Sequence, residues 1–174
     1  MKYGLMTVVA ALVFALASPA GALTQPEAQE MARSVGSDAK VYMVKNGDGE
    51  FNGYYTVDMW EGPVIVLIGF EHLSEPAQRF IAWHEIGHSL QYKNGEFGAL
   101  RARGPYEVEW DADAFAIRQM SYEGVDGALV SEELWAYLYN RYRYKGKVDG
   151  PHGLSTGRVT RGNLNRVTVR VEAA

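Results

Sequence analysis

Ser74-Glu75-Pro76-Ala77-Gln78-Arg79-Phe80-Ile81-Ala82-Trp83-His84-Glu85-Ile86-Gly87-His88-Ser89-Leu90-Gln91-Tyr92-Lys93-Asn94-Gly95 reads as one helix with its own start and stop. Ser74 is of a type that caps helix N-termini, and Glu75 and Pro76 both suit a first turn. Phe80, Ile81, Trp83, Ile86 and Leu90 supply apolar packing at helical spacing, and Asn94-Gly95 closes the segment. His84 and His88 are four residues apart on it. Four residues turn a helix by about 400°, so both imidazoles leave one face, one turn apart. Glu85 sits about 100° further round, beside that face rather than on it.

Histidines so placed can share one divalent ion at about 2.0–2.1 Å, while Glu85 flanks the ion where a general base for an activated water belongs. The pattern is H-E-x-x-H on a helix. A catalytic zinc needs a third protein ligand and an open fourth position. The chain has four histidines and no cysteine, so a thiolate site is excluded and His, Asp or Glu must complete the set. A second helix, opened by Gly104-Pro105 and running to about Glu123-Gly124, contains Tyr106-Glu107-Val108-Glu109-Trp110-Asp111-Ala112-Asp113-Ala114-Phe115-Ala116. A glutamate here can ligate, and an acid four residues on can hold the remaining N–H of a histidine. Glu107 with Asp111 and Glu109 with Asp113 both satisfy that spacing.

The combination of H-E-x-x-H with a downstream E-x-x-x-D resembles the gluzincin metallopeptidases. Glu109 to Ala116 looks like the E-aromatic-x-A-D-x-F-A segment of the CAAX prenyl endopeptidase superfamily. It is also similar to the glutamate helix of ImmA/IrrE-type metallopeptidases, whose metal helix often reads H-E-x-G-H as here. The likeness covers Ala82 to Met120, the metal-binding helices only. It implies a zinc site of His84, His88 and Glu109, with Asp113 supporting a ligand and Glu85 as the base. His152, in Gly150-Pro151-His152-Gly153 and followed by Arg158, is similar to the His-Pro and Arg segment of the CAAX superfamily, which implies an oxyanion donor; the proline here precedes the histidine. CAAX endopeptidases are polytopic, whereas this sequence has no membrane-length apolar run after its first 22 residues.

Those 22 residues combine Lys2, an apolar run from Leu5 to Leu16, and Ser18-Pro19-Ala20-Gly21-Ala22. This is the layout of a secretory signal peptide cleaved after Ala22, so we expect an exported protein, periplasmic or secreted. Residues 23–146 form the expected domain and 147–174 a basic C-terminal segment. Residues 23–140 carry 8 Lys/Arg against 19 Asp/Glu, and residues 141–174 carry 8 against 2. The spread of those basic residues over more than thirty positions is a weak nucleic-acid signature, and no nucleic acid is expected as partner. The tail reads as a solvated segment folding back on acidic helices.

Upstream of the metal helix, Pro26 to Val35 reads as a helix starting near Thr24 and ending at Gly36. Val41–Lys45, Phe51–Met59 and Val64–Gly69 read as strands joined by Asn46-Gly47-Asp48-Gly49 and Glu61-Gly62-Pro63 turns. A third helix is expected from a Ser131 cap to Tyr144. Asn163 to Val171 alternates Val167, Val169 and Val171 with Arg166, Thr168 and Arg170, a strand pattern. The expected fold is α+β: a small antiparallel sheet of about three strands packed on the metal helix and two further helices. Val64–Gly69 would wall the cleft by pairing with an extended peptide, or lie covered within the sheet. His72 would be superfluous beside three ligands, and the tyrosines at 106, 137, 139, 142 and 144 read as packing before chemistry.

The sequence thus anticipates a zinc peptidase acting on peptide or protein substrates. The competing reading is a non-catalytic zinc-stabilised binding module, in which the ion staples a small domain that has no disulfides.

Overall fold

A computed structural model describes residues 21–47, 52–104, 106–132 and 134. Residues 1–20 of the expected signal peptide, His152, Arg158, the tyrosines at 137, 139, 142 and 144, and the alternating segment 163–171 lie outside the described residues.

The fold is α+β. It opens with α1 (Gln25–Ser34), whose start Thr24 fixes by a reciprocal cap. Thr24 N donates to Glu27 Oε2 at 2.8 Å, while the threonine hydroxyl oxygen faces Glu27 N. This capping box satisfies donors that the first turn leaves without helical partners. Gly36, at φ 79°, carries the chain out of the helix in the left-handed region.

Three strands follow, β1 (Lys40–Val44), β2 (Asn52–Asp58) and β3 (Gly62–Ile68), in the order β1-β3-β2. The β2–β3 pair is antiparallel and turns through Met59-Trp60-Glu61, with Asp58 Oδ1 accepting from Trp60 N at 2.7 Å and Glu61 N at 2.9 Å. The β1–β3 pair is parallel, with Lys40 opposite Val64 and Val44 opposite Ile68. The expected three strands are present, but the sheet is mixed rather than antiparallel. Turn residues after β1 suggested a hairpin with β2, yet β3 lies between them. The most apolar strand takes the centre, where both edges are covered; inserting it beside β1 after two chain reversals makes that pair parallel.

Beneath the sheet runs α2 (Glu75–Lys93), with 13 of its 19 residues buried. Ser74 occupies its N-cap position but makes no side-chain cap hydrogen bond. One side of α2 meets the sheet, where Val41, Ile65 and Leu67 join Phe80, Ile81 and Ile86 in the core. The other meets α4 (Glu107–Tyr122), reached through the short α3 (Phe97–Arg103). Seven residues with one buried side chain, Leu100, gave α3 no periodic signature in the sequence. Arg79 and Trp83 reach Glu123 at the far end of α4, at 2.6 Å for Arg79 Nη2 and 3.0 Å for Trp83 Nε1. At the other end Gln91 Nε2 donates to Val108 O at 2.8 Å, so the two helices run antiparallel and are tied at both ends.

The next helix begins at residue 127, four residues before the expected cap. Asp126 Oδ1 accepts from Leu129 N at 3.1 Å and serves as the cap, while Ser131 lies buried inside the helix. Gly127 permits this start, since a Cβ there would meet Ile117 Cα at 2.8 Å.

Candidate metal centre

A helix that is buried nearly all round cannot leave polar side chains without partners cheaply. Yet α2 buries His84, Glu85, His88 and Gln91, each 6% exposed or less. Their partners define the site.

Gly87 allows α4 to approach. A Cβ at Gly87 would stand 3.2 Å from Ala112 Cα and 3.3 Å from Phe115 Cδ1. The close crossing brings Glu109, one turn N-terminal of Asp113 on α4, over the histidine face. His84 Nε2 and His88 Nε2 are 3.0 Å apart. Glu109 Oε2 is 3.4 Å from His84 Nε2, and Glu109 Oε1 is 3.5 Å from His88 Nε2. Three donors sharing a tetrahedral ion at about 2.0–2.1 Å are separated by about 3.3 Å. The nitrogens stand 3.0 Å apart, and a different Glu109 oxygen lies 3.4 and 3.5 Å from each, close to that value, so two imidazoles and one carboxylate suit a zinc-sized ion.

The outer ring nitrogens are held too. His84 Nδ1 donates to Asp113 Oδ1 at 2.8 Å, and His88 Nδ1 donates to Gln91 Oε1 at 2.9 Å. An acceptor oxygen on each Nδ1 places the hydrogen there, leaving Nε2 as a lone-pair donor in a neutral ring. Two such lone pairs facing each other beside a carboxylate repel unless a cation or proton lies among them. His84 answers accordingly: burial pushes its pKa down, but the hydrogen bonds to Asp113 and Glu109 and the nearby charges of Asp113 and Glu85 outweigh burial and raise it to about 9. The site is built to hold positive charge.

Glu85 stands apart from the triad. It is 1% exposed, and its Oε2 has no hydrogen-bond partner among the described residues. A buried carboxylate oxygen of this kind is costly to the fold.

Of the two carboxylate registers, Glu109 with Asp113 is the one brought to the histidines. Asp111 instead accepts from Gln91 Nε2 at 3.0 Å, on the outer side of the His88 support. His72 lies in a 3-10 turn (Phe70–His72), where its Nε2 is 2.7 Å from Asn46 O, and it is not part of the cluster. Of the two readings of Val64–Gly69, peptide-pairing wall or covered strand, the topology gives the covered one, since β3 is the central strand.

Two participants escaped the sequence reading. Gln91 is three residues after His88 on the same helix, and that spacing was its only signal. Gly53 of β2 faces Glu85 so closely that a Cβ would meet Glu85 Oε1 at 2.9 Å. No local pattern announces a contact between residues 32 positions apart. In the comparisons, the chain matches no protein-family model, no curated protein and no solved structure. No helix among the described residues is long and apolar enough to cross a membrane.

Proposed function

We propose that this protein is a zinc-dependent peptidase, with His84, His88 and Glu109 as metal ligands, Asp113 and Gln91 orienting the rings, and Glu85 as general base. The observation that carries the reading is the convergence of two imidazole nitrogens and the Glu109 carboxylate at 3.0–3.5 Å, with the neighbouring Glu85 buried and its Oε2 without a hydrogen-bond partner among the described residues. Two imidazoles and a carboxylate suit zinc in a site that keeps one position for substrate or water.

Zinc held by His84, His88 and Glu109 would supply Lewis acidity toward a scissile carbonyl and a water. Glu85 would take a proton from the attacking water on its carboxylate and deliver it to the leaving amine nitrogen. Asp113 holds the His84 ring by its Nδ1 hydrogen, and Gln91 does the same for His88, which keeps both Nε2 atoms aimed inward. β2 passes Glu85 at Gly53, and its second edge meets no strand among the described residues. An extended peptide added along that edge would have its backbone held by main-chain hydrogen bonds.

The test is metal analysis of purified protein together with a peptide-library digest by wild type and Glu85→Gln. The expected result is about one zinc per chain in both, with hydrolysis in wild type alone. Well-folded protein that takes up no zinc would overturn the reading. Stoichiometric zinc without hydrolysis in either protein would replace it with the zinc-stabilised binding module.

A further inference from the structure

We infer that Gly53 is a positioning residue for Glu85: the strand β2 leaves out a side chain so that the glutamate carboxylate can sit against its backbone. This rests on the peptidase reading for its consequence in catalysis, and on geometry for the contact itself.

Glycine within a strand costs stability through backbone entropy and lost packing, so its presence calls for a reason. Backbone conformation is not the reason. Gly53 is absent from the five positive-φ glycines, pairs in register with Leu67 of β3, and lies in the interior of β2. Space is the reason. A Cβ would meet Glu85 Oε1 at 2.9 Å, Ile81 Cγ2 at 3.1 Å and Glu85 Cγ at 3.2 Å. Two of these three contacts belong to Glu85, whose side chain is buried. Its other oxygen, Oε2, remains buried without a partner among the described residues. The alternation of β2 thus puts its one side-chain-free position over a buried acid that lies outside the ligand triad. A side chain at position 53 would have to displace that carboxylate, and a displacement of about 1 Å at a reacting group costs on the order of a hundredfold in rate.

The experiment compares wild type, Gly53→Ala, Glu85→Asp, and Gly53→Ala combined with Glu85→Asp. Three readings are taken on each: zinc per chain, kcat and KM on a peptide that wild type cleaves, and Tm of the metal-free protein. Gly53→Ala should keep about one zinc and a KM within about twofold of wild type, while kcat falls on the order of tenfold to a hundredfold. In the metal-free protein, Gly53→Ala should lower Tm, and Glu85→Asp, shorter by one methylene, should restore much of that loss. If Gly53→Ala alone does not fold, recovery of folding in the double variant supports the contact, and failure of both overturns it. Unchanged kcat and Tm in Gly53→Ala overturn the inference. So does a Tm loss that Ile81→Leu, which removes the Cγ2 branch, reverses and Glu85→Asp does not. A wild type that binds zinc but cleaves nothing sinks the peptidase reading alone; the Tm comparison then still decides whether Gly53 holds Glu85.

Discussion

His84 and Asp113 are joined by a buried hydrogen bond of 2.8 Å, from Nδ1 to Oδ1, on the side of the ring away from His88. Asp113 is 3% exposed, so its charge is scarcely screened by water, and it fixes the ring and supports positive charge on it. Replacing Asp113 by Ala should leave the histidine free to rotate and lower zinc affinity about 10–100-fold. Competition with a chelator of known affinity measures this directly. An affinity equal to wild type would show that the ring is oriented by something else. Asp113→Asn should cost less than Asp113→Ala, because the amide oxygen still accepts the Nδ1 hydrogen.

The raised pKa of His84 makes a separate prediction about metal-free protein. Its value of about 9 exceeds the ordinary 6.5, so the protonated ring favours the folded state. That stabilisation is complete below about pH 6.5 and disappears as pH climbs through about 9. Metal-free protein should therefore lose Tm across this window. Zinc takes the proton's place, so binding should release about one proton near neutral pH, seen as a buffer-dependent heat in calorimetry. A metal-free Tm that is flat or rises across the window would contradict the arrangement of Asp113 and Glu109 around the ring.

Gly87 tests the helix crossing. Alanine is the better helix former by about 1 kcal/mol, which favours Gly87→Ala. Against this, the new Cβ would press on Ala112 Cα at 3.2 Å and Phe115 Cδ1 at 3.3 Å. Overpacking typically costs about 1–3 kcal/mol, and neither a backbone atom nor Ala112 Cβ can rotate aside. The steric term should win, so net destabilisation is about 1 kcal/mol, read as a lower denaturation midpoint at unchanged slope. Zinc affinity should fall with it, because α4 carries Glu109 away from the histidines. Stabilisation without loss of zinc would mean that α4 yields freely.

The sequence made the helix-borne half of this site legible. His84, Glu85 and His88 lie within one turn, and an α-helix fixes their relative directions without help from the rest of the chain. Glu109 and Asp113 were readable as one of two equivalent registers, because spacing sets which acids share a face but not which face meets α2. That choice is made by Gly87 against Ala112, a contact between residues distant in sequence. The same limit explains the sheet. Strand positions follow from local patterns, whereas the order β1-β3-β2, with the most apolar strand at the centre, is a tertiary choice. Asp126 replaced Ser131 as helix cap because Gly127 can approach Ile117, again a tertiary fact.

Gln91 is the most exacting test of how the site is supported. Its amide accepts from His88 Nδ1 at 2.9 Å and donates to Val108 O at 2.8 Å and Asp111 Oδ2 at 3.0 Å. One side chain therefore orients a ligand and ties α2 to the start of α4. Gln91→Leu keeps the volume but strands a buried ring hydrogen and removes the tie to Val108 O and Asp111. A buried group left without its bond costs about 1–3 kcal/mol, so destabilisation of metal-free protein should be about 1–3 kcal/mol. Zinc affinity should also fall, in the same 10–100-fold range as for Asp113→Ala, because His88 loses its orienting acceptor. Gln91→Glu separates the two roles. The carboxylate still accepts from His88 but cannot donate to Val108 O, and it faces Asp111. It should retain more zinc affinity than Gln91→Leu while remaining destabilised; equal zinc loss in both variants would mean that the tie to α4, not the grip on His88, sets the metal site.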